Sequence, residues 1–229
     1  MPVNRNITNK RGRRPRVERS LNPDFDRDSW VPKTELGKKV KSGELTNLDD
    51  VFLFGKIMET GIIDFLIPDI KIKIIDVKKT TRMTRAGRHF AYRVSAIVGD
   101  GNGHIGIGTG KGIERMDAQT KSIQNAKLNM VSVKRGSGSW ESNTDDDNSI
   151  PFMTVGKCSS LRVTLLPAPK GVGLAVSDTI KPVFELVGIA NVWSKTRGAT
   201  DTRLNFVRAT IDALNNLNKL KVLDKKENE

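Results

Sequence analysis

Alternation of period two dominates residues 70 to 112. Phe90, Tyr92, Val94, Ala96 and Val98 alternate with Ala91, Arg93, Ser95 and Ile97, the pattern of a strand with one buried face. Upstream, Ile70, Ile72 and Ile74 alternate with lysines, and the phase then slips to Ile75 and Val77, which predicts a bulge or a twist. Asp100-Gly101-Asn102-Gly103 supplies two turn dipeptides in succession, a strong hairpin signal. The stretch thus predicts three strands, with a basic loop between the first two and a glycine-rich turn before the third. Along the third, Gly106, Gly108 and Gly110 fall at every second position. They leave one strand face bare, so that another backbone or an RNA strand can approach closely.

Helical spacing flanks this stretch on both sides. Thr34 is expected to cap a short helix with Leu36 and Val40, closed by Gly43. Thr46 is expected to cap a second, with Leu48, Val51 and Phe52, closed by Gly55; a third apolar run, Ile62 to Ile67, stops at Pro68. These pieces are predicted to cover one face of the sheet. After the third strand a helix is expected from about Ile113 to Asn129. Its predicted stripe is Ile113, Met116, Thr120, Ile123, Ala126 and Met130, with Arg115, Lys121 and Lys127 off it. Val131 and Val133 fit a short final strand. The first module is therefore a β-β-β-α unit.

Residues 135–150 break the composition with Gly, Ser, Asn and the triplet Asp145 to Asp147. Consecutive carboxylates point in different directions, so a solvated acidic loop is the better reading than a divalent-cation site. A second module starts at Pro151. Phe152 to Lys157 and Leu161 to Leu166 predict a hairpin around Gly156-Lys157-Cys158-Ser159. A proline- and glycine-opened loop, residues 167–173, leads to a helix capped by Ser177 or Asp178. Ile180, Val183, Phe184 and Val187 form its buried stripe, and Gly188 closes it. Ile189 to Trp193 reads as a strand, followed by a basic turn at 194–198. Asp201 or Thr202 opens a last helix carrying Leu204, Val207, Ile211, Leu214 and Leu217. The expected division is a basic tail at 1–33, a helical lead-in at 34–69, modules at 70–135 and 151–222 joined by a linker loop at 136–150, and a polar tail at 223–229.

Charge changes what these modules are for. Among 229 residues, 39 Lys and Arg stand against 26 Asp and Glu, a net charge of +13. Such a balance does not set the fold, but it draws polyanions, nucleic acid first and an acidic membrane surface second. The cations cluster. Lys78, Lys79, Arg82, Arg85 and Arg88 surround Gly87 with only Asp76 nearby, and the tail holds Arg11, Arg13 and Arg14. A tail this poor in apolar groups cannot bury a core, and it suits an arm that orders on phosphates. No apolar run is long enough to span a bilayer, and the first residues lack the apolar core of a secretory signal. The single cysteine, Cys158, excludes an internal disulfide framework and fits a reducing cytosol.

Enzymatic readings fare poorly. Gly101 to Gly106 satisfies G-x-G-x-x-G, but that motif needs a helix opening on it, and here a strand continues. A P-loop fails as well, since Ile105 stands where its first glycine belongs and Gly112 where its hydroxyl belongs. His89 and His104 lack an obvious carboxylate partner in sequence and read as surface hydrogen-bonders. Cys158, beside Lys157, has no candidate base and reads as a small buried residue. No catalytic set, metal site, cofactor or small-molecule substrate is expected. Basic loops on compact α+β modules fit RNA recognition through backbone and shape.

The motifs themselves, VGDGNGHIGIGTGKG, a helix ending AKLNMVSV, then IPF, LLPAPKGVGL and VWSKTRG followed by RATIDAL, resemble the universal small-subunit ribosomal protein five family from about residue 50 to 220. WVPKTELGKKVKSG and RGSGSWE are similar to its archaeal and eukaryotic branch. Where archaeal relatives often carry cysteines and a histidine after SWE, this chain has SNTDDDNS. The resemblance implies a double-stranded-RNA-binding-like first module and a βαβ-containing second one. It also implies a cytoplasmic constituent of the small ribosomal subunit, bound to ribosomal RNA beside proteins four and eight and near the mRNA path, with a part in assembly and decoding accuracy. Lys78, Lys79, Arg82, Arg85 and Arg88 would then hold phosphates, with Lys111, Arg135, Lys157, Lys170, Lys195 and Arg197 as further RNA-binding candidates. The alternative is an RNA-binding regulator acting outside the ribosome.

Overall fold

The computed structural model describes residue 27, residues 30–142 and residues 147–219. Three short helices, α1 (Glu35–Ser42), α2 (Leu48–Phe54) and α3 (Thr60–Leu66), lead into the first sheet. Thr34 caps α1 by accepting the N–H of Gly37, and Gly43 closes it at φ 84°. Asn47, not Thr46, takes the N-cap position of α2, and without a side-chain hydrogen bond. The sheet follows as β1 (Lys71–Thr84), β2 (Gly87–Gly99), β3 (His104–Gly112) and, after α4 (Arg115–Leu128), β4 (Met130–Ser132). All its neighbours are antiparallel, in the order β1-β2-β3-β4. The register of β1 slips between Ile74 and Asp76, so Ile75 is the bulged residue, as the phase change in the sequence predicts.

The glycines of β3 admit the backbone of α4. A Cβ on Gly106 would lie 2.1 Å from the carbonyl oxygen of Ala126, and one on Gly110 2.3 Å from that of Ala118. The helix therefore meets the strand through small side chains. Ala118, Ser122 and Ala126 are buried at i, i+4, i+8, whereas Ile113 and Met116, expected inside, are exposed. Ile123, Ala126 and Met130 of the expected stripe are buried, but where the helix meets the bare strand face small residues take the contact, and Ile113 lies ahead of the helix. Lys127, expected on the outer face, is also buried, its ammonium 2.5 Å from Asp64 on α3. α1 to α3 cover the same side of the sheet as α4, and Val51, Ile62, Ile63, Ala96, Val98 and Ala126 share one core there.

The second module holds β5 (Thr154–Cys158), β6 (Leu161–Pro167), β7 (Leu174–Ala175), α5 (Lys181–Val187), β8 (Val192–Arg197), α6 (Arg203–Asn216) and a final 3-10 turn (Leu217–Lys219). Its sheet runs β5-β6-β8-β7, and β7 lies parallel to β8 across α5, a βαβ unit. Gly156, Lys157 and Cys158 belong to β5, so the hairpin turn is Ser159-Ser160. Strand β8 likewise extends to Arg197, which puts Ser194 to Arg197 in the ladder and not in a turn. Ile180, not Ser177 or Asp178, precedes α5, while Thr202 precedes α6 as expected. Val163, Leu165, Phe184, Phe206 and Leu214 fill this core, and Ile97 and Ile105 of the first sheet join it, so the two modules share it.

Candidate nucleic-acid interface

The basic loop expected between the first strands is instead a two-stranded arm. Strands β1 and β2 pair without a break from Asp76↔Ser95 to Thr84↔Gly87, leaving only Arg85 and Ala86 in the turn. Threonines and aromatics favour the extended backbone, and Gly87 at φ 128° takes the conformation the turn needs. Lys78, Lys79, Arg82 and Arg88 therefore sit on strands, and Arg85 at the tip.

Register then sorts the side chains onto two faces. Facing pairs are Lys78↔Arg93 and Arg82↔His89 on one, Lys79↔Tyr92, Thr81↔Phe90 and Met83↔Arg88 on the other. Arg93 also faces Lys111 of β3, so Lys78, Arg93 and Lys111 form a row across three strands. The sequence reading missed Arg93 because it lies in the alternating apolar run; only the register shows that it completes this row. On the opposite face, the Lys79 ammonium rests 3.9 Å from the centroid of the Phe90 ring, which is 48% exposed. Lys78 has one acidic neighbour, Asp76, at 3.3 Å. Among the described residues, Lys79, Arg82, Arg85 and Arg88 have no carboxylate within ion-pair distance. Unneutralised charge on exposed strands attracts polyanions, and no buried group has to be uncovered first.

Other expected contacts scatter. Lys157 lies on β5, Lys195 and Arg197 on β8, and all three are exposed, as is Lys170 in the loop before β7. Arg135 is half-buried and its guanidinium donates toward the Gly101 carbonyl oxygen at 3.5 Å. It borders a cleft of about 550 Å³ between α2, the glycine turn and the 3-10 turn that follows α6. Arg11, Arg13 and Arg14 lie outside the described residues, as does Asp145.

The glycine turn has a different occupation from phosphate binding. The N–H groups of Gly101 and Gly103 donate to the carbonyls of Leu186 and Val187 at the end of α5. A helix C-terminus carries unsatisfied carbonyls and partial negative charge, so these amides complete a helix and join the modules. Asp100 holds the turn, accepting the N–H groups of Asn102 and His104. His104 Nδ1 lies 2.6 Å from Asp100 Oδ2, and Nε2 3.2 Å from Asp49 Oδ1 on α2. The histidine thus has two carboxylate partners, contrary to the sequence expectation. Burial pushes its pKa down, but the hydrogen bond and charge of Asp100, then those of Asp49, raise it above the ordinary value. Burial pushes the Asp100 carboxyl up, yet the His104 ring, the two backbone N–H groups and the imidazolium charge hold it below the usual carboxylate value. The arrangement is a clamp between α2, the turn and β3. Among the described residues no cluster of three His, Cys, Asp or Glu is placed to hold a metal ion. Their helices include none long and apolar enough to cross a membrane.

Comparison with known families gives a consistent picture. Residues 70–134 match the model described as ribosomal protein S5, N-terminal domain, and residues 156–227 the model described as ribosomal protein S5, C-terminal domain. The small ribosomal subunit protein uS5 of Methanothermobacter thermautotrophicus is 45% identical over 203 residues, 88% of this chain and 94% of that protein. Its counterpart in Methanocaldococcus jannaschii is 44% identical over 202 residues, 88% and 93% of the two chains. That of Methanospirillum hungatei is 42% identical over 199 residues, 86% and 97%.

Proposed function

The chain belongs to the ribosomal protein S5 family, in its archaeal-type branch, and we propose that it serves as a structural constituent of the small ribosomal subunit, gripping ribosomal RNA with the β1–β2 arm. The observation that carries this reading is the arm itself. Exposed Arg82 and Arg88 stand on the ladder and Arg85 at its tip, with no carboxylate partner among the described residues. Each phosphate such cations neutralise releases condensed counterions, which supplies much of the affinity and makes it depend on salt. Backbone already paired as a hairpin has less conformational freedom to lose on docking than an unpaired loop.

Exposure and register support these roles for the described cations. Lys78, Arg82, Arg93 and Lys111 hold phosphates on one face of the sheet and arm; Lys79 and Arg88 do so beside Phe90 on the other; Arg85 leads at the tip. Lys157, Lys170, Lys195 and Arg197 add contacts from the second module, Arg135 at the joint, and Arg11, Arg13 and Arg14 from the tail. The modules divide near residues 135–150. Neighbouring proteins four and eight, a position by the mRNA path, and a part in assembly and decoding accuracy rest on the family resemblance. So does a cytoplasmic, ribosome-bound location. The protein performs no reaction of its own in this account. Sedimentation of a lysate holding the tagged chain tests it: near-complete migration with small subunits is expected, whereas a dominant free pool bound to other RNA favours a regulator outside the ribosome.

A further inference from the structure

The cleft beside Arg135 has a wall that the rest of the fold leaves uncovered. Phe52 and Leu53 of α2 line it, with Val133 and Leu217 opposite in the chain's order. Leu53 is 85% exposed, whereas Leu48 and Val51 of the same short helix are buried in the first core. α2 thus spends one side on the core and gives a leucine to the cleft. Asp49 lies on the α2 wall, and Lys134 and Arg135 on the wall that follows β4, so both signs of charge are present. Mixed charge around an exposed leucine suits a polypeptide segment better than a polyanion.

The chain itself arrives at this cleft. Leu217 and Asn218 line it, and Asn218 fixes the place of exit. Its Nδ2 donates to the Ser132 carbonyl oxygen, and its Oδ1 accepts the N–H of Lys134 at 3.3 Å. The end of the second module is thereby tied to the last strand of the first sheet. The described residues stop at Lys219, and the sequence continues Leu220-Lys221-Val222-Leu223-Asp224. An extended residue spans at most about 3.3–3.6 Å, so Leu220 to Leu223 fall within about 7–18 Å of Asn218. This segment matches the cleft in kind. Leu220, Val222 and Leu223 are apolar, as the leucine wall requires, and Lys221 and Asp224 offer one charge to Asp49 and one to the Lys134–Arg135 wall.

We propose that Leu220, Val222 and Leu223 pack into this cleft against Leu53, so that the C-terminal segment straps α2 to the joint between the modules. The strap needs no RNA and does not rest on the ribosomal RNA reading above. The rival occupants are a second copy of this chain and an apolar segment of another protein.

The test uses the full chain free of RNA. Leu53→Ser should lower the melting temperature by about 3 °C or more, and so should Val222→Ser/Leu223→Ser, because each removes apolar surface that the strap buries. The two sets of changes combined should melt no lower than the worse of them alone, since both break one contact. The wild-type chain with labelled Leu and Val methyl groups should show nuclear Overhauser contacts from Leu53 to Val222 or Leu223, a readout that needs no variant to fold. Unshifted melting in both variants, or losses that simply add, overturns the proposal. Overhauser contacts only between differently labelled copies assign the cleft to a second chain and overturn it too. A Leu53 without contacts to the segment also overturns it and leaves the cleft to another protein. None of these outcomes bears on RNA binding by the arm.

Discussion

Replacing Gly108 by alanine tests how the first module is held together. A Cβ there would lie 2.2 Å from both the amide nitrogen of Ala126 and the carbonyl oxygen of Ser122, and 2.7 Å from the carbonyl carbon of Asn125. Comfortable contact begins near 3.5 Å, so α4 would have to retreat by about 1 Å or more. It cannot do so freely. Ile123, Ala126 and Met130 are buried in the core beneath α1 to α3, and Lys127 is tied to Asp64. Overpacking against side chains costs about 1–3 kcal/mol. Against backbone, which has no rotamer to change, about 3 kcal/mol or more is expected. For a chain of this size that is a fall in melting temperature of about 6–12 °C. Gly171→Ala supplies the comparison, since nothing lies within 4 Å of its Cβ but its φ is +98°. That change should cost about 1–2 kcal/mol through the backbone alone. Urea denaturation with an unchanged m-value gives both numbers. If Gly108→Ala loses no more than Gly171→Ala, α4 is not seated on the glycine face and the packing argument is wrong.

The Asp100–His104 clamp should leave a mark in stability against pH. His104, with its raised pKa, contributes fully below the ordinary 6.5 and loses that contribution as pH rises through its folded value. Asp100, with its lowered pKa, contributes above the ordinary 3.8 and loses that as pH falls through its own folded value. The stability gap between wild type and Asp100→Asn should be widest between these limits and narrow above them; a gap flat from pH 5 to 9 would exclude the clamp. Asp64→Ala should cost about 3 kcal/mol by leaving the buried Lys127 ammonium unpaired, and Asp64→Ala/Lys127→Met should recover much of that in urea titrations. Equal losses in the single and double variants would mean that the charge is not what matters there.

Much of the first module was legible because its apolar residues alternate strictly. The bulge at Ile75, the Thr34 cap, the Gly43 stop and the backbone approach to β3 all follow from local pattern. The arm was not, because strand pairing beyond Asp76 is carried by the backbone ladder and needs no buried face, so its cations read as a loop. Half of the α4 stripe, Ile123, Ala126 and Met130, is buried as its spacing predicts, and its first half is not. Large apolar residues usually mark the buried side, but where α4 lies on the glycines of β3 only small residues such as Ala118 and Ser122 fit, and Met116 stays outside. His104 shows a different limit: Asp100 is only four residues away, while Asp49 is brought to it by α2 across 55 positions that no local pattern links. In the second module the turn residues were displaced into strands, because Lys157, Lys195 and Arg197 look like turn composition until a facing strand fixes their register.

The salt dependence of binding between the purified chain and small-subunit ribosomal RNA tests the central claim most directly. The account predicts a steep log–log slope for the wild-type chain, lower by about two in Arg82→Ala/Arg85→Ala, with melting temperature unchanged because both side chains are exposed. A slope identical in the two proteins would contradict it, for the arm would then be carrying no phosphate.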